Sequence, residues 1–353
     1  MTKLNEKEII DLFISKLKPD NTITEFGKDD VAILSLKDAK TNTNKNNIFC
    51  PISIILKCDM LVGNTDVPTG MKPWQIARKS IVSCVSDLSA KGIKPPYLSL
   101  ISIGIPRRYS KNEIKDLIIG FQTASKEFGI KIVGGDTNES NELIIDCNML
   151  GFSDINAAAR IPRRSGAKPG DLVVVSGEFG YSSSGLKILI ENAKSHGIFK
   201  KNAILSVVKP KPQQKFGIAL AKYFSSSIDS SDGLATSLYE LARQSKVNIL
   251  IENIPLAKGV VDFAQNNHLD AKELIFHGGE EYEIVATIPK SKLNRIKTVA
   301  RKSKLKLLVI GKVEKGDGKV FLTKGNETWK EASLLDDRGY VHLIGKGQDR
   351  DVL

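Results

Sequence analysis

The chain has 353 residues, 41% of them hydrophobic and 26% charged. That is the balance of a water-facing globular protein, and the length exceeds what one ordinary core fills. No apolar run approaches the roughly 18 residues needed to cross a bilayer, and the charged opening MTKLNEKEIIDLF has no apolar signal core, so a cytoplasmic protein is expected. The formal net charge of +12 admits nucleic acid, an acidic membrane surface or anionic small molecules as partners. Aromatic residues make up only 6%, however, and none interleaves with the densest basic stretch, 290–306, whose apolar residues recur at helical spacing. No nucleic-acid and no membrane contact is expected. Cys50, Cys58, Cys84 and Cys147 form no CxxC pair and read as buried reduced thiols.

Residues 5–17 carry an amphipathic helical pattern. Strands are expected at 31–34 (VAIL) and 52–57 (ISIILK), separated by the polar loop 38–47. A long helix is expected from Pro73 to about Lys91, with the proline in the first turn, where its missing N–H costs nothing. A strand at 97–105, a helix at 111–128, a short buried strand at 130–133 and a strand at 142–152 complete the first half. The stretch 153–171 (SDINAAARIPRRSGAKPGD) has no strong period and several turn residues, and the division into two domains, 1–158 and 159–353, is placed there. The second half continues with a strand at 172–176, a Gly/Ser-rich turn and a helix from Ser183. A helix near 213–225, a strand ending at Asp229, a helix from Leu234 and strands at 247–251, 282–288 and 306–310 follow. Many connections are too short for regular βαβ crossovers, so the expected class is α+β.

The chemistry lies in a set of aspartates. Asp29 and Asp30 precede VAIL, Asp59 follows IILKC, Asp87 sits in VSDLSAKG, Asp136 in IVGGD, and Asp229 and Asp232 in IDSSDGL. Each alone reads as a cap or a turn, and Asp87 falls in mid-helix. Converging, they make a hard oxygen site for Mg²⁺, with room for more than one ion beside a nucleotide. Gly134-Gly135-Asp136 lets backbone N–H groups approach an anion. The turn 177–185 (GEFGYSSSG) runs into a helix N-terminus, where unpaired N–H groups favour phosphate. Neither is a Walker A or a GxGxxG element. HGGEEYE at 277–283 reads either as a tight bend or as the edge of a site, and His196, His268, His277 and His342 fall in no catalytic constellation.

Seven segments carry a resemblance. FGKDDVAIL, DMLVGNTDVPTGM, SDLSAKGIKP, VGGDTN, RSGAKPGDLVVVSGEFGYSSSGL, IDSSDGL and GGEEYE occur in this order, and the match covers about residues 25–345. The chain thereby resembles the thiamine-monophosphate kinases of the archaeal type, within the superfamily of aminoimidazole ribonucleotide synthetase and selenophosphate synthetase. The resemblance implies a two-domain PurM-like fold. Its N-terminal domain would form a β-barrel across a homodimer, its C-terminal domain would be α/β, and ATP would lie in the groove between them. It implies Asp30, Asp59, Asp87, Asp136, Asp229 and Asp232 as Mg²⁺ ligands, and Gly135, Asp136, Arg164 and Ser231 as ATP contacts. It implies Glu280 and Tyr340 as substrate contacts. Where many bacterial members have a histidine, the segment GNTDVP offers Thr65 and Asp66. Asp232, Asp136 and Arg164 would carry the catalysis, with Asp29 in support. Two departures stand out: Lys28 replaces the usual glycine before the acidic pair, and Lys57 and Cys58 stand beside Asp59 where hydroxyl residues are usual, which would leave one metal site altered or absent. The implied reaction converts ATP and thiamine monophosphate to ADP and thiamine diphosphate. The alternative is a superfamily ATP-dependent enzyme acting on another substrate, such as a purine-pathway intermediate. A non-catalytic nucleotide- or nucleic-acid-binding protein would instead show salt-sensitive binding without ATP turnover.

Overall fold

The structure, a computed structural model, describes residues 8, 11, 23–24, 29–36, 52–154, 160–323 and 332–340. The expected loop 38–47, Cys50, Lys28 and most of the expected helix 5–17 lie outside them, though Glu8 and Asp11 are helical.

Two mixed sheets organise the chain. The first holds β1 (Ile23–Thr24), β2 (Ala32–Leu36), β3 (Ile52–Val62), β4 (Tyr97–Ile105), β5 (Ile130–Glu139) and β6 (Ile144–Asp154), in the order β1-β2-β3-β6-β4-β5. Only β4 and β5 pair in parallel, and the helix Lys111–Phe128 makes the crossover that such a pair requires. That helix opens on a Ser110–Glu113 capping box and closes on Gly129 at φ 73°, where a side chain would be strained. The second sheet holds β7 (Leu172–Val175), β8 (Ser226–Asp229), β9 (Val247–Ile251), β10 (Ile284–Ile288), β11 (Leu308–Lys315), β12 (Val320–Leu322) and β13 (Ser333–Leu334), in the order β13-β12-β9-β11-β7-β10-β8. Each sheet has its own core: Ile55, Ile101 and Met149 meet Ile81 and Phe121 in the first, while Val173, Ile249 and Val313 meet Leu238 and Phe276 in the second.

The helix Pro73–Ala90 lies between them. Ile76, Ile81 and Val85 enter the first core, whereas Ala90 joins Phe216, Leu220 and Ile284 in a cluster on the second sheet's side. A helix covered on two sides buries polar residues as well, and Arg78, Lys79, Asp87 and Lys91 are all buried. Their partners cross between the halves. Arg78 donates to the Pro210 carbonyl at 2.7 Å and pairs with Glu127, Lys91 donates to the Ser227 carbonyl at 2.7 Å, and Ser227 Oγ donates to the Ala90 carbonyl at 2.7 Å. The helix Gln214–Leu220 crosses so close that a Cβ on Gly217 would lie 1.7 Å from the Ser89 carbonyl oxygen.

Two expectations need correction. The segment expected as a short buried strand, 130–133, runs on to Glu139 as the sheet's edge, with Ile132 and Val133 exposed. An apolar run does not tell an edge strand from a central one. Cys58 is exposed, unlike the buried Cys84 and Cys147, and its thiol donates to Asp146. Among the described residues no helix is long and apolar enough to cross a membrane.

Candidate active site

Three elements bring three carboxylates together. Asp30 stands just before β2, Asp87 near the end of the helix Pro73–Ala90, and Asp229 at the end of β8. All three are buried, and their oxygens lie within 4.8 Å of one another. Burial and the neighbouring Asp229 push the Asp87 carboxyl well up, and burial and Asp30 push up Asp229. Burial acts the same way on Asp30, but Arg164 and Lys91 outweigh it and hold that carboxyl below its ordinary range. A buried, mutually repelling set of hard oxygen donors is what a small divalent cation such as Mg²⁺ satisfies, so the residues present fit that ion.

Cations of the chain itself flank the cluster. Lys91 Nζ lies 2.7 Å from Asp29 Oδ1 and 2.7 Å from Asp30 Oδ2. With the Ser227 carbonyl, these partners use all three of its N–H groups. Arg164 Nε donates to Asp30 Oδ1 at 2.6 Å and its backbone N–H to Asp29 Oδ2 at 3.1 Å, so Asp29 orients the residues around the cluster. Lys57 Nζ lies 2.7 Å from Asp87 Oδ2 and 3.3 Å from Asp59 Oδ2. Asp59 is thus tied to the cluster through Lys57, while Asp136 and the exposed Asp232 stand outside it.

A second group gathers around Glu280. Lys79, nearly fully buried, pairs closely with Glu280 Oε1 and donates to the Asp66 carbonyl at 2.7 Å. The Asp66 carboxylate accepts from the Val62 N–H at 2.7 Å, and Thr65 beside it is exposed. The double glycine before Glu280 is a packing requirement: a Cβ would lie 2.2 Å from Ser183 Cβ at Gly278 and 2.7 Å from the Ser231 carbonyl at Gly279. The bend it permits carries Glu280, at φ 63°, to the Ser231 loop, where its N–H donates to the Ser231 carbonyl at 2.6 Å. Tyr340 closes on the same loop, its N–H donating to the Asp232 carbonyl at 3.1 Å. Gly135 also has a packing reason, since a Cβ there would lie 1.8 Å from the Ile101 carbonyl oxygen. It lines, with Gly134, Asp136, Ile132, Ile101 and Phe121, an open groove of about 650 Å³.

The model of the family "AIR synthase related protein, N-terminal domain" matches residues 29–153. The thiamine-monophosphate kinase of Nitrosopumilus maritimus is 40% identical over 344 residues, 97% of this chain and 100% of that one. The chain belongs to the thiamine-monophosphate kinase family. The Pyrococcus horikoshii kinase is 34% identical, over 98% of each chain. The solved structure described as AaThiL complexed with AMPPCP and TMP superposes with a TM-score of 0.77 at 26% identity, covering 97% of this chain and 99% of that one. The fold of this kinase-family member is accordingly PurM-like α+β with mixed sheets.

Sequence reading passed over two lysines as site residues, Lys79 and Lys91, which lie in helical context among apolar neighbours. Lys57, in the strand ISIILKCDMLV, was noted only as a departure beside Asp59, without its contact to Asp87. A lysine in an apolar run needs a buried acid, and that was the available signal. The turn 177–185 is corrected as well. The N-terminus of the helix Tyr181–Ile190 is filled from within, because Gly180 and Ser182 donate their N–H groups to Glu281 Oε1 at 2.6 and 3.0 Å. A carboxyl group of the chain thus takes the place expected for a phosphate.

Proposed function

We propose that the chain transfers the γ-phosphoryl group of ATP to thiamine monophosphate, giving ADP and thiamine diphosphate, as a step of thiamine diphosphate biosynthesis. The observation that carries this is the near-complete 40% match to a thiamine-monophosphate kinase. The likeness to a structure described with AMPPCP and TMP supports the same two substrates. Asp30, Asp87 and Asp229 would hold Mg²⁺, with Asp59, Asp136 and Asp232 as the further candidate ligands. Mg²⁺ held there would supply positive charge to offset that of two anionic reactants.

The chain's own groups do the rest by positioning. Arg164, steered by Asp30, faces the nucleotide phosphates together with Gly135, Asp136 and Ser231. Glu280, Tyr340, Thr65 and Asp66 form the thiamine monophosphate edge, and Lys79 sets the Glu280 carboxylate. The acceptor is a phosphate monoester with a second pKa of about 6, already mostly dianionic near neutral pH, so no general base is required. Residues 1–158 and 159–353 form two domains, and the first pairs across a homodimer into a barrel. Its exposed apolar residues Leu56, Met60, Leu100 and Phe152 lie on the sheet strands β3, β4 and β6 and support that pairing.

The test is direct assay of the purified chain with ATP, Mg²⁺ and thiamine monophosphate. Stoichiometric thiamine diphosphate and ADP are expected. ATP turnover only with a purine-pathway intermediate would overturn the assignment.

A further inference from the structure

We infer that Lys57 takes the place of a divalent cation between Asp59 and Asp87, so that the site binds one ion fewer than its carboxylates offer. The inference rests on the Mg²⁺ reading of the carboxylate cluster. Lys57 and Asp59 are two residues apart on β3 and therefore share a face, the one that also carries the buried Ile55 and Leu61. Asp87 approaches from the helix packed on that face. The ammonium sits 2.7 Å from Asp87 Oδ2 and 3.3 Å from Asp59 Oδ2, joining two acids that no other described contact brings together.

Charge counting agrees. Asp29, Asp30, Asp59, Asp87 and Asp229 carry five formal negative charges when ionised, and Lys57, Lys91 and Arg164 three positive ones, with ion pairs linking all of them but Asp229. The remaining two negative charges are what a single divalent ion at Asp30, Asp87 and Asp229 offsets. A second ion shared by Asp59 and Asp87 would sit about 2 Å from their oxygens, where the Lys57 ammonium already lies, and like charges at that separation repel strongly. A built-in ammonium also needs no ion from solution to keep Asp59 and Asp87 together. Lys57 thus acts as a positioning residue for Asp87, itself a candidate metal ligand.

The experiment counts ions with Mn²⁺ as the probe, following free Mn²⁺ by electron paramagnetic resonance in the full chain without nucleotide. Lys57→Thr should bind one more Mn²⁺ than the parent, Lys57→Arg the same number, and Lys57→Thr with Asp59→Asn the parent number again. Equal counts for Lys57→Thr and the parent overturn the inference. Asp59→Asn alone supplies a reading that does not depend on whether Lys57→Thr folds. It should leave the parent count unchanged, and loss of one ion would mean that Lys57 yields Asp59 to the metal, which also overturns it. Asp229→Asn should lose one Mn²⁺. If it does not, the metal reading itself fails, an outcome separate from failure of the Lys57 assignment.

Discussion

At the scale of single residues, the acids divide by what surrounds them. Asp232 is exposed, in the loop that Tyr340 and Glu280 close upon. Asp232→Asn keeps size and removes one charge, so its effect should fall on turnover. A loss of at least about a hundredfold is expected, the usual scale for removing one electrostatic contribution to a transition state, with an unchanged melting temperature. A fully active variant would sink the role. Lys79 is different because it is buried against Glu280, whose Oε2 has no hydrogen-bond partner among the described residues. Lys79→Met should cost about 3 kcal/mol of stability, the low end for breaking a buried pair because Glu280 retains some solvent. It should also raise KM for thiamine monophosphate more than KM for ATP. Urea denaturation and steady-state kinetics check the two parts, and equal changes in both KM values would remove Lys79 from the substrate edge.

At the scale of elements, the sequence was legible where a long period could be read among the described residues. The strand Tyr97–Ile105 and the helix Lys111–Phe128 match their expected spans, and the helix Pro73–Ala90 ends within a residue of its expected stop. Asp30, Asp87 and Asp229 were each named from motif position, although Asp87 in mid-helix looked the weakest. Its place in the cluster depends on β8 arriving from 140 residues away, and no local pattern records that. The pairs of Lys57 with Asp87, Lys79 with Glu280 and Lys91 with Asp29 and Asp30 were hidden for the same reason, since those partners are remote in sequence. The helix Tyr181–Ile190 adds a testable pH effect. Burial pushes the Glu281 carboxyl from 4.5 up to about 8, against the pull of the Gly180 and Ser182 N–H groups and with Glu283 adding to the rise. The folded state therefore holds a proton that the unfolded chain releases above its ordinary pKa. Stability from this group is full below about 4.5 and is lost as pH rises through about 8. Glu281→Gln keeps an amide oxygen for both N–H donors and cannot ionise. Its melting temperature should fall less than the parent's between about pH 5 and pH 9. Parallel melting curves across that range would show that Glu281 does not titrate there.

At the scale of the whole molecule, the first sheet leaves Leu56, Met60, Leu100 and Phe152 exposed, and β5 is its edge strand among the described residues. An apolar sheet face and an unpaired edge invite a second copy, and a two-fold pairing closes both without building a filament. Light scattering at micromolar concentration should give twice the 38.7 kDa chain mass. Met60→Lys, on the 58% exposed side chain, should shift the species toward monomer. A fully active monomer in the parent protein would falsify the dimer.

The polar threads of the helix Pro73–Ala90 carry a consequence for a broken chain. Arg78 reaches the Pro210 carbonyl and Lys91 the Ser227 carbonyl, while Ala90 packs on Phe216 and Leu220. Neither piece of a protein cut near residue 157 could satisfy these groups alone, because each supplies the other's missing acceptor or apolar cover. The two fragments, 1–157 and 158–353, should therefore find one another without a peptide bond. Produced together, with an affinity tag on only one, they should copurify in equal amounts, and the pair should recover kinase activity. Produced separately, each should aggregate. Two fragments that fold singly and ignore each other would mean that the helix is held by the first sheet alone.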